Sequence, residues 1–460
     1  MNMRPRNSSL TLLNRFQGIY KVLTPMMLSV SALSFQNTAQ AASLNFSYAS
    51  GTTLNQMIGF EIAGGIWSRH LADPVTVNLY LHTTNDLPKG VIGGALPGIL
   101  PNQWYGSWKN QLAKDQTSAD DVLAFKNLPS GDEDGFTARV NGKEFNENNK
   151  LRLTRANARA LGMLSSRDTG LDGAIVINTL AGQSVGWNYD FLNNSVPNDA
   201  LDFLSVGLHE IGHTLGFVSA VDEPGLLTSN AGGDDDDDDN EGSLNHPAPL
   251  DLFRYSKESA AIGAIDLSTG GNPFFSLDGG KTALGYFSTG KDKALGGDGN
   301  QASHWKQQDQ PLGIMDPVLM VGQRRGISTL DLRAMDAIGW DLQALGIDLA
   351  VLQKEAKDRL AQRLGVTVAW LDENSELAAT LLASDRTADV EAMIKQSEIY
   401  DWRSGSPSGL FQRVLLQTSP AVADAPTQAV AVPTPSLLPG LLLGKGMVIL
   451  HTLRKRRQKK

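Results

Sequence analysis

His209-Glu210-Ile211-Gly212-His213-Thr214-Leu215-Gly216-Phe217 is the stretch on which the reading of this chain turns. Residues four apart on a helix lie on one face, so His209 and His213 point the same way. Two imidazoles at that spacing can share one tetrahedral ion. Glu210 stands beside the first, where its carboxylate reaches a water on the metal without binding the metal. Zinc lowers the pKa of such a water toward roughly 7. Glu210 is then expected to take the proton as the water attacks a peptide carbonyl, and to pass it to the leaving amine. The metal meanwhile stabilises the developing oxyanion.

The surroundings favour chemistry over a surface helix with a satisfied histidine pair. Leu201, Leu204, Val206, Leu208, Ile211, Leu215 and Phe217 surround the helix almost completely, so it is expected to be buried, and buried polar side chains need a partner. Ser195 and Pro197 are start signals and Gly216 is a C-terminal cap, which predicts a helix over 197–216.

Two histidines leave zinc short of a third protein ligand. The continuation His213-Thr214-Leu215-Gly216-Phe217-Val218-Ser219 resembles the metzincin clan of zinc peptidases, H-E-x-x-H-x-x-G-x-x-H. In that pattern the glycine turns the chain back toward a third histidine. Ser219 occupies the last position here, and a serine hydroxyl is a poor zinc ligand. His304, in Ala302-Ser303-His304-Trp305, is the favoured replacement, with Asp222 as the alternative. Gly313-Ile314-Met315-Asp316-Pro317 looks like the Met-turn of that clan, with Met320 a second candidate for its methionine. Residues 328–340 have the spacing of a closing helix. This order is similar to the leishmanolysin-type arrangement and covers residues 171–341. Leishmanolysins are disulfide-rich and this chain has no cysteine, so the likeness is to a bacterial relative at clan level. It implies a metzincin-like α+β catalytic domain with zinc on His209, His213 and His304 and Glu210 as the catalytic residue. It also implies an edge strand near 175–178 that holds an extended peptide by strand addition.

Elsewhere the pattern is coarser. Residues 44–48 and 75–81 alternate like strands, 53–71 and 154–164 have helical spacing, and Gly173–Asn178 reads as a buried strand. Residues 234–239 are six consecutive aspartates. They read as a solvated insertion in an acidic stretch, 229–247, because self-repelling carboxylates without fixed geometry make poor calcium sites. After Trp340, Leu349–Leu364 and residues 375–400 look helical, which predicts a small helical appendage over 346–420.

Composition narrows the class. At 460 residues the chain is long enough for two or three domains, and 41% hydrophobic with 19% charged residues is ordinary for a globular protein. Four basic residues and no acid lie in residues 1–41, and seven basic residues and no acid in the last 25. Setting those eleven aside takes the −9 of the whole chain to −20 for the body. Such an acidic body disfavours nucleic acid as a partner. Without cysteine there is no disulfide, thiolate ligand or cysteine nucleophile, so a metal must rest on His, Asp or Glu.

Both ends read as addresses. Residues 1–41 have a basic start, an apolar run and Ala39-Gln40-Ala41, the pattern of a cleaved signal peptide. The apolar run is short for a membrane anchor. At the other end a linker (421–432) precedes Pro433-Thr434-Pro435-Ser436, a short apolar run (437–450) and Arg454-Lys455-Arg456-Arg457. This segment, 421–460, resembles the PEP-CTERM class of bacterial sorting signals in a Pro-Thr-Pro variant. The resemblance implies an exported protein of the cell envelope or exterior, handled at the membrane by an exosortase-type enzyme. The expected function is that of a secreted zinc metallopeptidase (domain 42–345) acting on protein or peptide substrates. The alternatives are a non-catalytic adhesion protein with a structural metal helix, and a zinc amidase acting on cell-wall peptides.

Overall fold

Alternation in residues 44–48 becomes β1 (Ser43–Tyr48), which sends Phe46 and Tyr48 into the core. Thr53 then starts α1 (Leu54–His70). Its hydroxyl accepts from the Gln56 amide, 3.3 Å, and the Gln56 side chain accepts from the Thr53 amide, 2.8 Å, a reciprocal capping box. Glycines inside this helix have a packing reason. A Cβ on Gly59 would lie 2.6 Å from the Phe203 ring, and one on Gly64 2.8 Å from Phe46. A helical glycine costs about 1 kcal/mol, and here two aromatic rings gain contact with the helix backbone in return.

A computed structural model describes residues 41–131, 134–222, 227–228, 243–244, 247–398 and 415–418. The aspartate run, the linker, the segment that reads as a sorting signal and residues 1–40 lie outside the described residues. Among the described residues no helix is long and apolar enough to cross a membrane.

The architecture is α+β, with several sheets and helices gathered beside them. The main sheet contains β1, β2 (Thr76–Thr84), β3 (Val91–Pro97) and β4 (Gly173–Asn178), in the order β1-β2-β4-β3. The first three in that order run parallel, and β3 is antiparallel to β4, with Gly93 opposite Ile177. Residues 175–178 are therefore interior, flanked by β2 and β3, and the expectation of an edge strand there is corrected. The strand beyond them is β3. Its Gly93-Gly94 and Pro97 are poor strand formers, so its sequence does not announce it.

The motif helix α2 is Phe203–Leu215, and it packs against α1 and β3. It starts six residues later than the expected 197, because Ala200–Asp202 first pairs as a strand with Gly186–Asn188. Asp202 then caps the helix. Further on come β5 (Val318–Leu319), the closing helix α3 (Thr329–Ala337) and α4 (Leu349–Leu364). The helix expected over 154–164 is shorter, Arg155–Ala160, with Thr154 as its cap. Residues 375–400 divide into Ser375–Leu382 and Thr387–Glu398. The break falls where Ala383 bridges Tyr48 and the Ser384 amide donates to the Tyr48 carbonyl, 2.8 Å. Helix α4 lies on α1 through a 2.8 Å ion pair between Arg359 and buried Glu61, which also accepts from the Tyr48 hydroxyl. Finally β6 (Leu415–Thr418) extends the main sheet beyond β3 and pairs with β5.

Candidate metal centre

Helix α2 is held at both ends. The Asp202 carboxylate accepts from the Ser205 amide, 3.0 Å, and hydroxyl, 2.7 Å, and pairs with Arg324 at 2.8 Å. At the other end the Trp340 indole donates to the Leu215 carbonyl, 2.9 Å, one of the last carbonyls that a helix leaves without an internal partner. Gly216 follows with φ +131°, and Ile338 lies 2.8 Å from where its Cβ would be. No L side chain fits that conformation or that space. The resulting turn brings the Phe217 carbonyl back to within 2.7 Å of His213 Nδ1.

That contact decides which ring nitrogen carries the proton. His209 Nδ1 lies 2.7 Å from the Ile314 carbonyl, and His304 Nδ1 lies 3.2 Å from the Gln301 carbonyl. A carbonyl can only accept, so all three imidazoles donate from Nδ1 and leave Nε2 bare. The three Nε2 atoms converge: His213 to His209 is 2.9 Å and His304 to His209 is 3.2 Å. The His209 and His304 rings are near parallel, and His213 stands edge-on to both. All three residues are buried. Burial, with Arg325 adding to it, lowers the His209 pKa to about 4; burial takes His213 and His304 well below the usual imidazole range, and for these two the neighbouring rings add to the effect.

Three neutral imidazoles that aim lone pairs at one point repel unless a cation sits there. Two nitrogens on one tetrahedral zinc stand ~3.3 Å apart, from bonds of about 2.0 Å. The donor set fits such an ion: three uncharged nitrogens in a dry place, each orientated by a carbonyl behind it. His209, His213 and His304 are thus brought together as a group able to hold a metal.

Glu210 lies next to this group and is fully buried. Neither carboxylate oxygen has a hydrogen-bond partner among the described residues. Burial pushes its pKa well above the usual carboxylate range. Such a group has a high proton affinity and open lone pairs, which suits a proton acceptor. Space for it comes from β3: a Cβ on Gly93 would stand 2.6 Å from Glu210 Oε1.

Asp222, the other candidate ligand, does different work. One oxygen accepts from the Lys291 amide, 2.8 Å, and the other from the Ala302 amide, 2.7 Å. It braces the loop that presents His304. Ser219, in the last place of the motif, donates to Asp251, 2.5 Å, and its amide donates to the Ser303 hydroxyl, 3.0 Å. The position that lacks a histidine therefore helps to orient the remote one. Buried Asp251 also accepts from the Ala220 and Ala248 amides, both at 2.9 Å.

Met315 is buried beneath α2, its sulfur 2.5 Å from where a Cβ on Gly212 would be, whereas Met320 is 38% exposed and has no place in the site. The turn around Met315 hangs on Asp331. This buried carboxylate accepts from the Ile314 amide (2.8 Å), the Met315 amide (3.3 Å), the Trp305 indole (2.7 Å) and the Ser328 amide (2.7 Å). Sequence reasoning passed over Asp331, Asp251 and Gly93. The capping box of Ser328 with Asp331 was a usable sign for the first; the other two have no local signature.

Asp73 past the end of α1, Asp115 past the helix Tyr105–Leu112 and Asp341 past α3 form a carboxylate group, with Asp336 close by. Burial raises Asp73 to about 7, Asp115 to about 8 and Asp336 to about 7, and neighbouring carboxylates add to each. The remaining described histidines, His70 and His82, stand apart on α1 and β2. Compared with protein-family models, with curated proteins and with solved structures, the chain matches none.

Proposed function

We propose that this chain is an exported zinc metalloendopeptidase of the metzincin type. The observation that carries the reading is the meeting of three bare Nε2 atoms, 2.9 and 3.2 Å apart in succession, with an unpartnered buried carboxylate. On this reading His209, His213 and His304 hold zinc through Nε2. When bound, the ion supplies Lewis-acid polarisation of a peptide carbonyl and makes water acidic near neutral pH.

The chain itself does the rest. Glu210 accepts the proton of the water whose oxygen bonds to the carbonyl carbon, and delivers it to the amide nitrogen as the C–N bond breaks. Strand β3, on the side where β6 pairs with it, is the main chain that an extended peptide would join beside Glu210 in place of β6, a mode that selects for backbone before side chains. Metzincin type is supported by the order of parts: the helix motif, Gly216, a distant histidine, Met315 under Gly212 and a closing helix. The exported location rests on the character of residues 1–41 and 421–460.

The test is casein cleavage by the purified chain with and without a chelator, together with metal content by mass spectrometry. One zinc per chain and chelator-sensitive cleavage are expected. Glu210→Gln is expected to keep the zinc and lose cleavage. Zinc without cleavage in the unmodified chain would favour the adhesion alternative, and activity on peptidoglycan but not casein the amidase.

A further inference from the structure

The strand β3 does not end the sheet. Leu415–Thr418 lies antiparallel to it, with Leu415 opposite Gly94, Leu416 opposite Gly93 and Gln417 opposite Val91. On its other side the same segment runs parallel to β5, Val318 opposite Gln417 and Leu319 opposite Thr418. Those two neighbours belong to the candidate site. Gly93 abuts the Glu210 carboxylate. Val318 stands four residues after Ile314, whose carbonyl orients His209. Paired strands lie ~4.8 Å apart, so the main chain at Leu416 passes one strand spacing from Gly93, and β6 packs against α2.

We infer that Leu415–Thr418 is an occupant, supplied in cis, of the groove that takes peptide substrates, so that in the full chain it competes with substrate and raises KM until the segment leaves. This rests on the peptidase reading. An extended backbone between two strand edges, beside the carboxylate that would move the proton, holds the position that a substrate backbone must take. A bare β3 edge would be an open template for any strand. The tether makes the local occupant win, because an attached segment competes at an effective concentration on the order of millimolar. The ladder is irregular between Leu416 and Gln417, which weakens pairing at that point and leaves the segment displaceable.

The experiment uses the full chain carrying Leu415→Pro and Leu416→Pro. Adjacent strand residues direct their amides to opposite sides, so one of the two prolines removes a donor toward β3, where both residues pair. Two readouts follow. In a Glu210→Gln background, hydrogen exchange at the amides of residues 91–94 is expected to quicken at least tenfold in the proline variant. In the active background, kcat/KM for a fluorogenic peptide is expected to rise at least tenfold, mainly through KM. A synthetic peptide of residues 413–420 is expected to reverse the gain competitively. Equal exchange and equal kcat/KM in the two proteins would overturn the inference and leave the peptidase reading intact. Faster exchange with no cleavage by either protein would uphold the occupancy and overturn the peptidase reading.

Discussion

Gly93 and Glu210 are in direct opposition: the place of a Cβ on Gly93 is 2.6 Å from Oε1 of Glu210. The strand and the buried carboxylate thus share one boundary, and only a glycine leaves room for both. The atom that an alanine would meet first is the tip of a flexible side chain, so Gly93→Ala is expected to move the carboxylate and leave the fold in place. A misplacement of about 1 Å costs about 100-fold in rate. Zinc content and the unfolding midpoint should stay as in the parent while kcat falls; an unchanged kcat would remove Glu210 from the proposed role.

His304 and Asp222 separate by metal content. His304→Ala removes one of three converging nitrogens and is expected to leave the protein without zinc after dialysis. Asp222→Asn loses a charged acceptor for the Lys291 and Ala302 amides but no ligand. It should retain stoichiometric zinc with affinity lower by about tenfold, the usual effect of a supporting partner. Competition with a chromophoric chelator measures both, and the opposite ranking would make Asp222 the third ligand.

Asp331 holds together three pieces that lie apart in sequence: the turn at Ile314 and Met315, the Trp305 indole beside His304, and the first turn of α3. Asp331→Ala strands three buried donors and the half-buried Ser328 amide, the buried ones each costing about 1 kcal/mol or more. A loss of at least ~3 kcal/mol is expected in urea unfolding, with weaker zinc binding because the Ile314 carbonyl no longer has a fixed place. A neutral effect would show that the turn is held by packing alone.

Stability should fall as pH rises through the range set by Asp73, Asp115 and Asp336. Their carboxyls are raised to about 7, about 8 and about 7 in the fold, against about 3.9 unfolded. The folded protein therefore binds more protons between those limits, so the stabilising share is complete below about pH 4 and is lost as pH climbs through 7 to 8. Asp115→Asn removes one of the repelling charges. It is expected to raise Tm by a few degrees at pH 9 and to change little at pH 4; an equal shift at both values would exclude carboxylate repulsion as the cause.

What the sequence determined by itself was local. Spacing by four placed His209 and His213 on one face and Gly216 marked the end of the helix, because helix geometry and caps are settled within a few residues. His304 was legible as a candidate through residue type, and only the fold brought its Nε2 to His209 across 95 positions. Tertiary structure alone decided that residues 175–178 are interior, that a glycine strand abuts Glu210, and that Asp222 braces while His304 converges. It also seated Leu415–Thr418 between β3 and β5. Strand neighbours and buried carboxylate partners are chosen by contacts between distant parts of the chain. Such contacts leave no periodicity in the residues that make them.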